Sequence, residues 1–548
     1  MKNKKNRRIV SMIGIGAILC GSLTAGSIAG RDASASGASP LTPAASALVA
    51  GSSVGGSGSV SGSLARVVNL SSLPSASAAA VSSGSVQDKA PLGINGSRDS
   101  SAAVTHGTKP GAGFVPLVSS PAKVLQNFAG TSLGQSSCSC APPDSNAAMN
   151  GAQILEGTNL ALTVWKVGAG TTPTLIKRTA IATFLNTTDS LSDPRVFYDN
   201  AWKRFVMTVI VVPTVATATP AEWIAVSTSN SASGAWYIYR ASFSGGPYAP
   251  GTLMDYPMVG MDADSIAIST NLYAFGGGFT TGSLFTVPKQ RIYNGLGWGT
   301  GAFNVDFSSH PAFVEGIPQN QDGKLYVVAS LLPYSQTGFD VYYLTNTDRP
   351  DSIALTYQGN AADSHGTSAP PAATQPGGGS LDALGGQLQA APHQLEGNVW
   401  FARTENLAGF PTVEYGAIAE SNLAVTSANA YVSGTSDDWN PSIAVSDVGG
   451  SRYVFLNWAY TDPTHNVNTS TRVAGLGPAD GIQNLIGVGK TLATGGHTTE
   501  TRFGDFSSVQ IDPFVSGTCP AGQSALVANE QFNSSGGWQM RDARVAFC

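Results

Sequence analysis

The chain has 548 residues and a formal net charge of −5, with 11% charged residues, 42% hydrophobic residues and 64 glycines. An acidic chain without a basic face lacks the electrostatic footprint of a nucleic-acid binder, which excludes that class of partner. Solubility must rest on hydroxyls and turns rather than charge, as on the surface of a β-rich extracellular protein.

The first residues have the layout of an export signal. Lys2, Lys4, Lys5, Arg7 and Arg8 precede an uncharged stretch from Ile9 to Gly30, followed by Ala33-Ser34-Ala35, an A-x-A cleavage site. Residues 1–35 are read as a signal peptide, the mature chain starts near Ser36 at a charge of about −10, and the protein is expected to be secreted and extracellular. Retention as a membrane anchor is the competing reading, but the Gly and Ser content makes a poor span. Lipidation at Cys20 is disfavoured by the bulky Leu19 before it. No membrane span is expected in the mature chain.

From 36 to 113 the chain is mostly Ser, Ala and Gly. Such a segment cannot recover its ordering entropy by burial and reads as a disordered linker. Residues 114–548 are then one folded domain. Cys138 and Cys140 stand near its start and Cys519 and Cys548 near its end, which allows three disulfide connectivities. A bond across Cys138 and Cys140 is expected to be strained, so each is expected to pair with Cys519 or Cys548 and clasp the two ends in an oxidising compartment. A Cys-x-Cys metal site is the alternative, and no histidine stands nearby to complete it.

One phrase recurs along the domain. It begins at Asp193-Pro194, Asp255-Tyr256-Pro257, Asp438-Trp439-Asn440-Pro441 and Asp505-Phe506-Ser507, with steps of 62, 183 and 67 residues. The long step is three times 61, so two weaker copies are expected inside it. They fall at His310-Pro311 and at Leu388 to Pro392, and a further copy opens the array at Pro142-Pro143-Asp144-Ser145-Asn146. Each clear copy leads into an apolar run of strand composition. Short strands punctuated by Gly, Asn, Asp and Pro at a fixed long spacing predict an all-β chain, a β-propeller of seven blades with six as the fallback. In the best-resolved repeat the strands are expected near residues 193–198, 204–212, 223–228 and 235–241.

If each opening aspartate starts an innermost strand, Asp193, Asp255, Asp438 and Asp505 gather at one mouth of a central channel. Carboxylates meeting there can ligate Ca²⁺ or act as the acid and base of glycoside hydrolysis. The plainer reading is that each caps its own turn, and repetition favours it. No cofactor is required. His310 and His393, each beside a proline in the weak copies, are candidates for the same mouth. Trp298, Trp439 and Tyr256 are expected in loops, where aromatic rings stack on sugars. The Pro- and Gly-rich connection from Asp363 to Ser380 is too long for an ordinary turn. It is expected either to drape over the channel or to be mobile.

These motifs, with Ala225-Val226-Ser227 and the closing Asp512-Pro513, resemble secreted bacterial β-propeller proteins loosely related to the sialidase-like superfamily. The similarity spans the chain from Cys140 onward and implies architecture more than activity. The Asp-box of that superfamily is matched only in degenerate form at Ser229 to Trp236 and Asn533 to Trp538. The sialidase comparison also implies three arginines on a substrate carboxylate, and Arg195, Arg403 and Arg502 are the candidates. The expectation is a monomeric module binding a polysaccharide or cell-surface glycan. A glycoside hydrolase or polysaccharide lyase is the alternative, and an adhesive or protein-interaction scaffold a third.

Overall fold

A computed structural model describes residues 41–75, 87–88, 107–110 and 120–548, apart from 122, 137, 139, 169, 171, 315–322, 366–367 and 516–518. The expected signal peptide lies outside the described residues.

The described chain is a β-propeller built from antiparallel four-strand sheets, with α-helices only at Ile181–Leu185 and Lys289–Ile292 and a few single-turn 3-10 helices. The first sheet runs from Asn146–Met149 through Gln153–Thr158 and Ala161–Lys166 to Thr174–Ala180. The second comprises Leu191–Asp199, Arg204–Val211, Ala221–Ser227 and Ala235–Ser244; the third Leu253–Met261, Ser265–Tyr273, Phe279–Pro288 and Trp298–Val305. The fourth and fifth begin at Ser309–Pro311 and His393–Leu395 and end at Ala354–Ala361 and Val425–Tyr431. The sixth runs from Asp437–Asp447 to Lys490–Thr494, and the seventh starts at Ser508–Ile511.

Each sheet is too small to bury its own faces, so the cores lie between neighbours. Val206, Ile224 and Val226 of the second sheet share one cluster with Ile266, Ile268 and Phe285 of the third. The innermost strands converge on an axial cavity of about 320 Å³, lined by Ala147, Phe197, Val259, His393, Ile443 and Val509 of six of these sheets and by Phe313 of the short strand Phe313–Val314, which pairs with the third and fifth. In the second sheet the strands coincide closely with the expected ones. Its degenerate Asp-box turn is structural: the Trp236 indole N–H donates to the Ala232 carbonyl at 2.8 Å.

Ring closure differs from the expected clasp. The disulfides join Cys138 to Cys140 and Cys519 to Cys548, so neither links the two ends of the array. Closure is made by backbone pairing instead: Lys123–Ser132 is the outer strand of the seventh sheet, with Phe128 opposite Asp542 and Asn127 opposite Ala543. A ladder of hydrogen bonds from both ends of the chain satisfies an edge that would otherwise be open.

The expected linker is corrected over part of its length. Gly56–Gly62 inserts between the outer strands of the second and third sheets, Arg66–Asn69 pairs with Ala235–Ser244, and Ser53–Val54 pairs with Ala354–Ala361. Val60 and Leu70 are buried. Counting apolar residues misses such strands because the ladder is made by backbone N–H and C=O groups, and only proline lacks the N–H. Here glycine is an advantage: a Cβ on Gly62 would stand 2.4 Å from the Trp298 indole nitrogen.

Candidate functional site at the axial mouth

The repeated phrase is a β-bulge. Proline has no N–H for the ladder, so pairing breaks around Pro194, Pro257 and Pro441, with register shifts at Ser192/Arg195, Asp255/Met258 and Trp439/Ser442. The residue before each proline is left-handed: Asp193 at φ 54°, Tyr256 at 57° and Asn440 at 53°. Asp and Asn tolerate that region, whereas a tyrosine there is unusual.

Register therefore separates the opening aspartates. Asp193 holds the left-handed position, Asp255 stands one residue ahead of it, and Asp438 two ahead of Asn440. The turn-capping reading belongs to the closing aspartates. Asp199 Oδ1 accepts from Ala201 N and Trp202 N at 2.9 and 3.1 Å, Asp262 Oδ1 from Asp264 N and Ser265 N at 2.9 Å each, and Asp512 Oδ1 from Phe514 N at 3.1 Å.

At the mouth, Asp193, Asp255 and Asp505 come together with Asp144, which the opening-aspartate pattern passes over. Asp144 is left-handed at φ 53°, like Asp193, and two residues before its strand. Asp144 Oδ1 accepts from Asp505 N at 3.3 Å, its Oδ2 from the Asn159 amide, and Asn159 Oδ1 accepts from Asp193 N at 3.0 Å. Arg502 donates to Asp382 Oδ2 at 2.9 Å and to Asp505 Oδ1 at 2.8 Å. Burial pushes the Asp144 and Asp255 carboxyls well above the usual carboxylate range. Asp193 and Asp505 add to the rise by like-charge repulsion, and Arg502 opposes it.

Beneath these carboxylates the axis is plugged. Tyr256 stacks on Phe506 with ring centroids 4.8 Å apart, its hydroxyl donates to the Leu388 carbonyl at 2.8 Å, and the Arg195 guanidinium lies 4.2 Å from the Phe506 centroid. Burial and the charge of Arg195 lower the His310 imidazole to about 3, so it is neutral beside Tyr256. His393 lines the cavity below.

Part of the long connection is held against the sixth sheet. Ala373–Thr374 and Ser380–Leu381 form a small hairpin, the Thr374 N–H and hydroxyl both donate to Asp437, and Ala373 and Leu381 pack with Trp439 and Phe503. Just beyond it the chain supplies Asp382 to Arg502 and Leu384 to the Tyr256–Phe506 cluster.

Other expected positions are corrected. Asp438 is fully buried in the sixth sheet, where it accepts from the Trp458 indole at 2.9 Å and pairs with Lys109 at 3.3 Å. Arg403 does not converge with Arg195 and Arg502; it is fully buried between Glu414 and Asp363, 2.7 Å from each. Trp298 lies in the outer strand of the third sheet, Trp439 begins a bulge inside the core, and Tyr256 is buried in the bulge of Leu253–Met261, so none of the three is in a loop. The short Gly-rich run around Trp298 resembles a turn in sequence but pairs as a strand. Among the described residues no group of three or more His, Cys, Asp or Glu side chains is arranged to hold a metal ion. No described helix is long and apolar enough to cross a membrane.

No protein-family model and no curated protein matches the chain. Among solved structures it is similar to an apocarotenoid oxygenase from Synechocystis, at TM-score 0.35 and 9% identity over 64% of this chain and 74% of that one. It is similar to the phage phi92 endosialidase at TM-score 0.34 and 9% identity, over 78% and 68%. A GH43 endo-arabinanase from Bacillus licheniformis follows at TM-score 0.24 and 12% identity, over 53% and 94%. Likenesses at this level carry no argument about activity, and the fold rests on the strand pairing described above.

Proposed function

We propose that the protein is an exported, carbohydrate-interacting β-propeller of seven blades, acting as a monomer through its acidic axial mouth. The observation that carries this reading is the gathering of Asp144, Asp193, Asp255 and Asp505 with Arg502 where the inner strands begin. Carboxylates accept hydrogen bonds from vicinal hydroxyls and a guanidinium donates to ring and hydroxyl oxygens, which is the complement of a sugar. The two disulfides support an oxidising compartment. The sialidase form of the reading has less support, since Arg403 is committed to Glu414 and Asp363.

A second reading, glycoside hydrolysis, is favoured by one feature. Asp255 holds its proton to higher pH than an ordinary carboxyl, beside Asp193 and Asp505, as an acid paired with a base requires. A glycan array combined with reducing-sugar release from a polysaccharide panel separates the two. Retention lost in Asp255→Asn without new reducing ends supports the binding module, and product formation abolished by Asp255→Asn supports the hydrolase. Retention and turnover both absent across neutral and acidic glycans would overturn the carbohydrate reading.

A further inference from the structure

Below the Tyr256–Phe506 plug the axial cavity has a different chemistry from the mouth above it. Its wall is largely aliphatic and aromatic, with Phe197, Val259, Met261, Phe313, Ile443 and Val509 facing one another across the axis. The exposed turn residues Asn200, Ala201 and Ala263 line its far end beside Asp199 and Asp262, so it opens there to solvent, at the opposite end of the inner strands from Asp193 and Asp255.

Most polar groups along this wall are already engaged. Asp199 takes Lys289 at 2.7 Å and the Tyr293 hydroxyl at 2.8 Å. Asp262 Oδ2 accepts from Thr347 at 2.5 Å. Gln510 joins Met149 N at 2.9 Å to the Tyr198 carbonyl at 3.2 Å. Asn146 joins Val196 N at 2.5 Å to the Pro194 carbonyl at 2.7 Å. Arg195 is not fully engaged. It is 8% exposed, it lines the closed end of the cavity, and its Nη1 is buried without a hydrogen-bond partner among the described residues. A buried guanidinium with an unused N–H is costly unless something accepts from it. The Phe506 face on one side and the nearby charges of Asp144 and Asp193 offset part of that cost without accepting from this N–H.

We propose that this cavity is a binding site for an amphipathic monoanion, a carboxylate with an unbranched apolar tail, whose oxygens accept from Arg195 while the tail lies along the aliphatic wall toward the open end. Burial lowers the guanidinium only to about 10, so it keeps its charge at neutral pH. The volume, about 320 Å³, suits a small ligand. Sugar binding at the mouth and anion binding below the plug are separate properties, and either can stand without the other.

The test is titration calorimetry of the purified full chain at neutral pH with sodium butanoate, hexanoate, octanoate and decanoate, and with octan-1-ol. Affinity is expected to rise with each added methylene until the cavity is full. Octanoate is expected to bind at least ~tenfold more tightly than octan-1-ol, the difference that a charge-assisted hydrogen bond supplies. Arg195→Met, which keeps bulk and removes the charge, is expected to bring octanoate down to the level of the alcohol. Absence of octanoate binding at millimolar concentration, equal binding of the alcohol, or an unaltered affinity in Arg195→Met would each overturn the proposal. The alcohol comparison on the native chain decides the matter if Arg195→Met does not fold.

Discussion

A left-handed residue ahead of a proline is the smallest unit of this architecture. At Asp193, Tyr256 and Asn440 it breaks the ladder, turns the chain onto the axis and sets which side chain enters the mouth. Buried charge tells a different story away from the axis. Arg403 sits between two buried acids, Glu414 and Asp363, so Arg403→Met leaves both without their cation. A loss of about 3–5 kcal/mol in chemical denaturation is expected, and a loss below ~1 kcal/mol would show that the network is dispensable. Glu222 is the opposite case, a buried carboxyl without a cation, raised by burial from 4.5 to about 8. The folded chain then keeps a proton that the unfolded chain releases. The stability from this source is complete below about 4.5 and is lost as pH rises through about 8. Glu222→Gln should remove the dependence and gain on the order of 5 kcal/mol above that range. Urea midpoints across the window check it, and parallel curves for the two chains would refute it.

The strands show how little side-chain apolarity an outer element needs. Gly56–Gly62 has Ser and Gly at most positions, yet it pairs on both edges and joins two sheets. Its small residues let it lie against Trp298 and Tyr248. Gly62→Val should push this strand off Trp298. The expected result is faster amide exchange in Trp298–Val305 and Ala235–Ser244, with the inner strands unaffected. Unchanged protection in those two outer strands would mean that the insertion contributes nothing to the edges.

The ring as a whole is held by strand exchange between its ends, not by covalent clasps. The Cys519–Cys548 bond closes a local loop of sequence separation 29 within the seventh sheet. Replacing both cysteines with serine should cost about 3–4 kcal/mol by loop entropy while far-UV circular dichroism stays native. Removal of Lys123–Ser132, in contrast, is expected to abolish cooperative unfolding, because it exposes a full edge of the last sheet. If that truncated chain still unfolds in one sharp transition, closure is not what stabilises the ring.

Much of this was legible in the residues. The spacing of the proline phrases marked the innermost strands, and the alternation of apolar runs and turn residues marked the second sheet nearly strand by strand, because both are local consequences of backbone sterics and burial. The gathering of Asp193, Asp255 and Asp505 followed from the repeat. What the order of residues did not reveal was the offset of each aspartate from its bulge: Asp438, two residues ahead of the left-handed Asn440, ended in a core beside Lys109, and Asp144 came to the mouth instead. Nor did it reveal long-range partners. The pairing of 56–62 with two outer strands, the closure by 123–132, the disulfide connectivity and the unused N–H of Arg195 all depend on contacts between segments far apart in the chain. Composition carries no information about such contacts, because backbone groups pair whatever side chains they bear.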